Sequence, residues 1–310
     1  MIGLATVASV LAAVAPASAA AATEIGSNCA ATNVENELAF FDLAHAPAEP
    51  LSATAPSSGV ITRGKVTVGF ALDPGLITVR PQVYRAAGGN QYTLVGEGGE
   101  FSVATGTSAF ATRIPVQAGD HVGIAGRYEG EAIGLFCQTF AVGDVMAYTD
   151  ESPAIGGNAT FDQATGYRAP ISAVIEPDAD NDGFGDETQD ACPQSAAFQT
   201  PCPPVVLSTS TQVKKNSVTV IVTSSTAAPV TVKGVAKLGK GKKAKMNGGT
   251  QNLLPGTLNK YRLFFTKGLK NKLKELSPQK KVTLKVTVSG TSVSGAVTKK
   301  TLKVKLKGQA

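Results

Sequence analysis

Apolar residues recurring at every second position constrain this chain more than any other feature. Val66, Val68, Phe70 and Leu72 are spaced two apart, Ile77 and Val79 repeat the spacing, and Gly, Pro and Asn break the runs. Successive side chains of a strand point to opposite faces, so this spacing turns one apolar row toward a core and predicts half-buried antiparallel strands. Further candidates between residues 59 and 145 are 81–85, 91–95, 100–103, 109–116, 121–125 and 133–139, with turns at Gly88-Gly89-Asn90 and Ala118-Gly119-Asp120. No helix-period window of useful length interrupts them. About eight short strands at this spacing predict a jelly-roll-like β-sandwich over residues 24–176.

After Pro204 the composition shifts to Val, Thr, Ser and Lys. Strands are predicted at 217–223, 230–235, 258–266, 281–289, 293–297 and 301–307. Leu269, Leu273 and Leu276 fall at i, i+4 and i+7, the spacing of a short helix. This region is expected to form a smaller immunoglobulin-like β-sandwich over residues 205–310. In its last strand Leu302, Val304 and Leu306 point one way and Lys303, Lys305 and Lys307 the other. The fold class is therefore all-β: two sandwiches joined by an acidic loop.

Charge is partitioned between the two parts. Residues 1–204 hold 7 Lys and Arg against 22 Asp and Glu, a net of −15, whereas residues 205–310 hold 22 against one acid, Glu275, a net of +21. Such a split argues for two modules with different partners rather than one catalytic globule. The positive field suits an anionic cell-wall polymer or acidic polysaccharide. Nucleic acid fits less well, because Tyr261, Phe264 and Phe265, the aromatic residues of this region, suit a core strand better than a stacking platform. The competing reading is that lysines on strands block edge pairing and keep a Val/Thr-rich sandwich in solution.

The start of the chain is expected to be an export signal. Residues 1–22 carry no charge, residues 4–14 are apolar, and Ala17-Ser18-Ala19 offers a small-residue cleavage site. The basic n-region is missing, which raises a true start upstream of Met1. No other run reaches the roughly 18 apolar residues of a membrane helix. The expected location is extracellular or at the cell surface, with no transmembrane span after signal removal.

Four cysteines suit an oxidising compartment. They permit three pairings, of which Cys192 with Cys202 and Cys29 with Cys137 is favoured, because the first two are close in sequence between Pro193 and Pro201. Zinc is disfavoured: no CxxC pair is present, and neither His45 nor His121 lies near a cysteine in sequence.

The most specific chemistry lies in residues 177–204. From Asp178 the sequence runs Asp-Ala-Asp-Asn-Asp-Gly-Phe-Gly-Asp-Glu-Thr-Gln-Asp-Ala-Cys-Pro, with carboxylates at positions 1, 3 and 5 and Gly at position 6. Hard oxygen donors at that spacing converge on Ca²⁺, and the glycine supplies the sharp turn. The expected ligands are the Asp178, Asp180 and Asp182 side chains, the Phe184 carbonyl, Asp186 directly or through water, and Asp190 closing the site. Without a cation these aspartates repel one another. The segment resembles a thrombospondin type 3 repeat, whose D-x-D-x-D-G core binds calcium and precedes Cys-Pro. It departs from an EF-hand at Gln189, where that motif has Glu, and Asp190 falls one residue later than the usual last aspartate of the repeat. The order of signal, sandwich, calcium joint and Lys-rich β-domain, with residues 113–120 and 264–288, is similar to secreted, mostly uncharacterised proteins of actinobacteria. That similarity implies export and modular surface architecture.

Other candidates weigh less. Tyr84, Tyr92, Tyr128, Tyr148 and Tyr167 offer rings for sugar stacking, so a carbohydrate-binding module or carbohydrate-active enzyme on the first sandwich is the alternative function. Asn158-Ala159-Thr160 matches a glycosylation sequon in a predicted loop. His45 and His121 read as structural, and Glu129 and Glu131 as decoration of a hairpin turn rather than a glycosidase pair. No G-x-S-x-G, H-E-x-x-H or P-loop pattern is present. The expectation is a non-enzymatic calcium-binding modular protein, adhesive or structural, whose basic domain contacts anionic envelope polymers.

Overall fold

A computed structural model describes residues 21–308 apart from 36–38, 74, 129–130, 151 and 240. Most of the expected export signal and the turn carrying Glu129 lie outside the described residues. The chain is all-β, with a β-sandwich in each of two compact units that divide between Gln189 and Asp190.

In the first unit a four-stranded sheet runs in the order Thr23–Gly26, Ile171–Glu176, Gly59–Val68, Gly106–Val116. The larger sheet has 11 strands, its path leading through Gln91–Glu97, Ile77–Gly88, His121–Tyr128, Ala39–Ala44 and Val145–Thr149. Alternating residues of both sheets form the core, among them Ile61, Val66, Ile114, Ile171 and Ile175 from the smaller and Phe40, Val79, Val83, Val122 and Ile124 from the larger. Each such side chain, fully buried, contributes about 1.5–3 kcal/mol relative to exposure. The larger sheet is covered on its second face too, by an aromatic cluster of Phe41, Tyr84, Tyr92 and Phe161. Phe41 stacks on Tyr84 with ring centroids 4.8 Å apart.

Pro81 does not split its strand, contrary to the expectation of separate segments at 77–79 and 81–85. The strand is continuous from Ile77 to Gly88, and its partner on one edge changes from Phe101–Val103 to Gln91–Glu97. The Pro81 carbonyl accepts from Gly98 N at that change. Its nitrogen faces the same edge, so the missing N–H falls where the ladder is already interrupted.

The second unit packs a three-stranded sheet, Leu207–Lys214, Ser217–Ser224 and Asn259–Phe264, with a four-stranded sheet in the order Lys242–Leu253, Ala228–Gly239, Lys281–Thr291, Val297–Lys307. Seven strands in two sheets match the immunoglobulin-like expectation. Val218, Val220, Val230, Val232, Leu284 and Val286 fill the core, and the Tyr261 hydroxyl donates to Val230 O at 3.0 Å. The predicted helix is Lys267–Glu275; the Thr266 hydroxyl caps it by accepting from Leu269 N, while Leu269 and Leu273 anchor it in the core. The strand expected at 293–297 is instead a hairpin turn. Ser292 N donates to Ala296 O, and Gly295 takes φ +80°. Val293 and Val297 are exposed there, so their spacing misled the reading.

Both expected disulfides are present, Cys29–Cys137 and Cys192–Cys202. Among the described residues no helix is long and apolar enough to cross a membrane.

Candidate functional site

The acidic loop begins where the strand Ile171–Glu176 leaves its sheet. Asp178, Asp180 and Asp182 each offer a carboxylate oxygen within 4.8 Å of the others. The backbone achieves this through two left-handed residues, Asn181 at φ +59° and Gly183 at φ +83°. Such a conformation suits glycine and is tolerated by asparagine. The Asp178 carboxylate is oriented by Asp182 N at 3.1 Å and Gly183 N at 2.9 Å, and Asp182 Oδ1 accepts from Phe184 N at 2.9 Å. These bonds use part of the oxygen lone pairs and fix where the rest point.

The other expected ligands are placed as follows. Asp186 turns back to accept from Ala179 N with both oxygens at 3.2 Å. The Phe184 ring lies under the Arg113 guanidinium, 4.1 Å from its centroid. Asp190 belongs to the second unit, where its Oδ1 accepts from Cys192 N at 2.7 Å. The donor set that converges is thus all-oxygen, and it fits a hard divalent cation better than zinc.

Glu176 escaped the sequence reading and organises the loop. Its buried carboxylate accepts at Oε1 from Thr62 Oγ1, Arg63 Nη1 and Thr188 Oγ1 at 2.7–2.8 Å, and at Oε2 from Glu187 N at 3.1 Å and Thr188 N at 2.8 Å. Burial by itself raises the pKa of this carboxyl, but the hydrogen bonds from Thr188 and Thr62 lead a set that outweighs it, and the net direction is down. Gly185 lets this clamp close. A Cβ there would stand 2.4 Å from Thr62 Cγ2 and 2.6 Å from Glu176 Oε2. Glu187, in turn, accepts from Ala22 N at 2.7 Å.

The histidines are held by the fold. His45 Nδ1 contacts Leu51 O and Nε2 contacts Asp42 Oδ2, both at 2.8 Å. A carbonyl can only accept, so Nδ1 carries a proton, and a second proton lies between Nε2 and Asp42. Nearby, Arg168 bridges Glu49 and Asp144, the latter at 2.7 Å. His121 Nδ1 donates to Asp42 O at 2.7 Å, its ring packs against Phe41 and Tyr92, and burial lowers its pKa.

Tyr84 and Tyr92 lie in the aromatic cluster and present no ring to solvent, while Tyr167 packs edge-on against Phe136. Tyr128 is exposed. The sequon lies in a short strand, Asn158–Thr160, rather than a loop, and Asn158 Oδ1 accepts from Thr93 Oγ1.

In the second unit, lysines crowd the outer face of the four-stranded sheet. Lys237 stands directly opposite Lys243, Lys285 opposite Lys303, and Lys281 opposite Lys307. Like charges in register on neighbouring strands are destabilising. The acid of this region, Glu275, sits 3.8 Å from Lys272 Nζ.

No protein-family model matches this chain, and no curated protein does. Among solved structures, the β-glucuronidase from Ruminococcus gnavus is 9% identical over 91% of this chain and 47% of its own, with a TM-score of 0.21. A calcium-binding mutant of β-glucuronidase 2 from Bacteroides uniformis is 11% identical over 89% of this chain and 32% of its own, with a TM-score of 0.23. The β-D-glucuronidase of Dictyoglomus thermophilum is 10% identical, with a TM-score of 0.20. The chain spans less than half the length of each of these enzymes. Likeness at this level transfers neither activity nor ligand.

Proposed function

We propose that this is a secreted, non-enzymatic, calcium-binding modular protein of the cell surface or extracellular space, whose basic unit holds anionic envelope polymers. The observation that carries the reading is the outer face of the four-stranded sheet, where lysines oppose lysines across the strands. Such a face costs stability in isolation, and a polyanion laid along it turns the repulsion into attraction. The two disulfides support an oxidising compartment.

Calcium belongs to the loop after Glu176, which we read as a thrombospondin type 3-like repeat. Asp178, Asp180 and Asp182 would hold it, joined by the Phe184 carbonyl and Asp186. The ion supplies charge neutralisation and bridges carboxylates that otherwise repel.

Co-sedimentation of the protein with purified cell walls, at low and high salt and with calcium present or chelated, tests the reading. Binding should fall steeply as salt rises. No binding under any of these conditions would overturn it. For the loop, millimolar calcium should raise the melting temperature of the protein and leave Asp182→Ala unmoved; a wild-type melt identical in chelator removes calcium from the account.

A further inference from the structure

We propose that the outer face of the three-stranded sheet is a binding site for one acidic sugar residue of a glycan chain. The inference rests on the polymer-binding reading above and narrows it to a place and a chemistry. On this face Thr219 lies in register between Gln212 and Arg262, and Ser217 between Lys214 and Phe264. The alternate residues of the same strands, Val218, Val220, Tyr261 and Leu263, turn inward to the core. A cavity of about 440 Å³ opens over the outward row and takes in Gln251 and Lys260 as well. That volume lies in the range of small-ligand sites.

Three kinds of group meet here, and together they select the ligand. Lys214, Lys260 and Arg262 are cations, and no ion pair involves any of them among the described residues. Tyr261 and Phe265 are in the core as expected, but Phe264 is not: it lies on the outward row of its strand and is 64% exposed, an aromatic ring held at the surface between buried neighbours. Thr219 is 5% exposed, and its Oγ1 is buried with no hydrogen-bond partner among the described residues. A buried hydroxyl left unpaired is destabilising, and a polar ligand group or a bridging water relieves it.

A neutral sugar would leave the three cations unmatched. A bare polyanion would make no use of Phe264, Thr219, Gln212 or Gln251. An acidic sugar carries all the complementary features: a carboxylate for Arg262 and the lysines, hydroxyls for Thr219 and the two amides, and an apolar ring face for Phe264. The opposite, four-stranded sheet has lysines but no exposed aromatic ring, so it attracts polyanions without reading the sugar.

The test is a calorimetric titration of the full chain with tetragalacturonate, and with maltotetraose as the neutral counterpart. Tetragalacturonate should bind and maltotetraose should not. Phe264→Ala and Arg262→Gln should each weaken binding about tenfold, the equivalent of 1.4 kcal/mol. Both residues are exposed, so these variants should keep the wild-type melting temperature. Lys270→Gln/Lys274→Gln, an equal loss of charge on the exposed face of the helix, should change the affinity little. Unaltered binding by Phe264→Ala and Arg262→Gln overturns the site. An equal loss in Lys270→Gln/Lys274→Gln also overturns it, by showing a diffuse field, and leaves the polymer-binding reading standing. If an oligothymidylate binds more tightly than tetragalacturonate and depends on Phe264, the ligand is a nucleobase and the sugar assignment falls. If neither cell walls nor any polyanion binds, the broader reading fails together with the site.

Discussion

Replacing Glu176 by Gln keeps the shape of a buried side chain and removes its charge. Five donors converge on this carboxylate: two backbone N–H groups, two threonine hydroxyls and the Arg63 guanidinium. The amide oxygen of Gln can keep Glu187 N and Thr188 N. Its NH₂ then faces the hydroxyls of Thr62 and Thr188, which can rotate to accept, and Arg63, which cannot. The Arg63 side chain is 48% exposed, so water replaces much of that contact. Hydrogen bonds to a charged acceptor contribute about 1.5–3 kcal/mol each against about 0.5–1.5 between neutral groups, so weakening four bonds costs about 5 kcal/mol, and a neutral amide, cheaper to bury than a carboxylate, offsets part of this to leave a net cost of about 3–4 kcal/mol. For a unit of this size that amounts to a fall of about 6–15 °C in melting temperature. Differential scanning calorimetry of the full chain should show it in one transition while the other, from the Lys-rich unit, stays in place. The pH dependence adds an independent check. Glu176 titrates below the ordinary value of 4.5, so its contribution is complete above that value and is lost as the pH falls through its folded pKa. The gap between wild type and Glu176→Gln should therefore narrow in acid. A fall of less than about 2 °C at neutral pH would refute the reasoning, as would a gap that stays constant down to pH about 2.

Two further outcomes follow from the first and second units. Burial disfavours the charged form of His45, but the Asp42 carboxylate and the Leu51 carbonyl outweigh it and raise its pKa above 6.5, so its contribution is present below that value and lost as the pH rises through the folded value. The melting temperature of wild type should drop on going from neutral to alkaline pH more steeply than that of His45→Gln; parallel curves would contradict the assignment. The Cys29–Cys137 bridge closes a loop with a sequence separation of 108 and the Cys192–Cys202 bridge one of 10. On chain entropy the former contributes about 4.7 kcal/mol and the latter about 3, so in urea unfolding Cys29→Ser/Cys137→Ser should lower its unit's unfolding free energy, midpoint times slope, more than Cys192→Ser/Cys202→Ser lowers the other's; equal losses would contradict this.

Where one face of a strand is buried and the other wet, the chain announces it. Lys281–Thr291 alternates without a break, and Leu302, Val304 and Leu306 turn inward against Lys303, Lys305 and Lys307 as read. Ala39–Ala44 gave no such signal, because Phe40 and Phe41 are both fully buried on opposite faces of a sheet that is covered twice. A doubly covered strand loses its period of two. Lys242–Leu253 was hidden for the opposite reason: between Ala244, Met246 and Leu253 it carries Lys, Asn, Gly and Gln. The clustering of Asp178, Asp180 and Asp182 was legible from spacing alone, because the three carboxylates are close in sequence. Glu176 was not, since Thr62 and Arg63 lie 114 and 113 residues away and only the sheet brings them together. Tyr84 and Tyr92 looked like surface rings because a lone tyrosine in an alternating strand does not reveal whether a further layer covers it.

The pairing of Thr23–Gly26 with Ile171–Glu176 has a bearing on how the chain reaches its final state. Thr23–Gly26 has as its partner the last strand of its own unit, so the smaller sheet cannot be completed until the chain has been made through Glu176. Contacts of this separation form slowly. The Lys-rich unit has no such delay, since most of its neighbouring strands are hairpin partners: Leu207–Lys214 with Ser217–Ser224, Ala228–Gly239 with Lys242–Leu253, and Lys281–Thr291 with Val297–Lys307. Local pairings close sooner than distant ones, so on refolding from denaturant the Lys-rich unit should regain its fold before the first unit does.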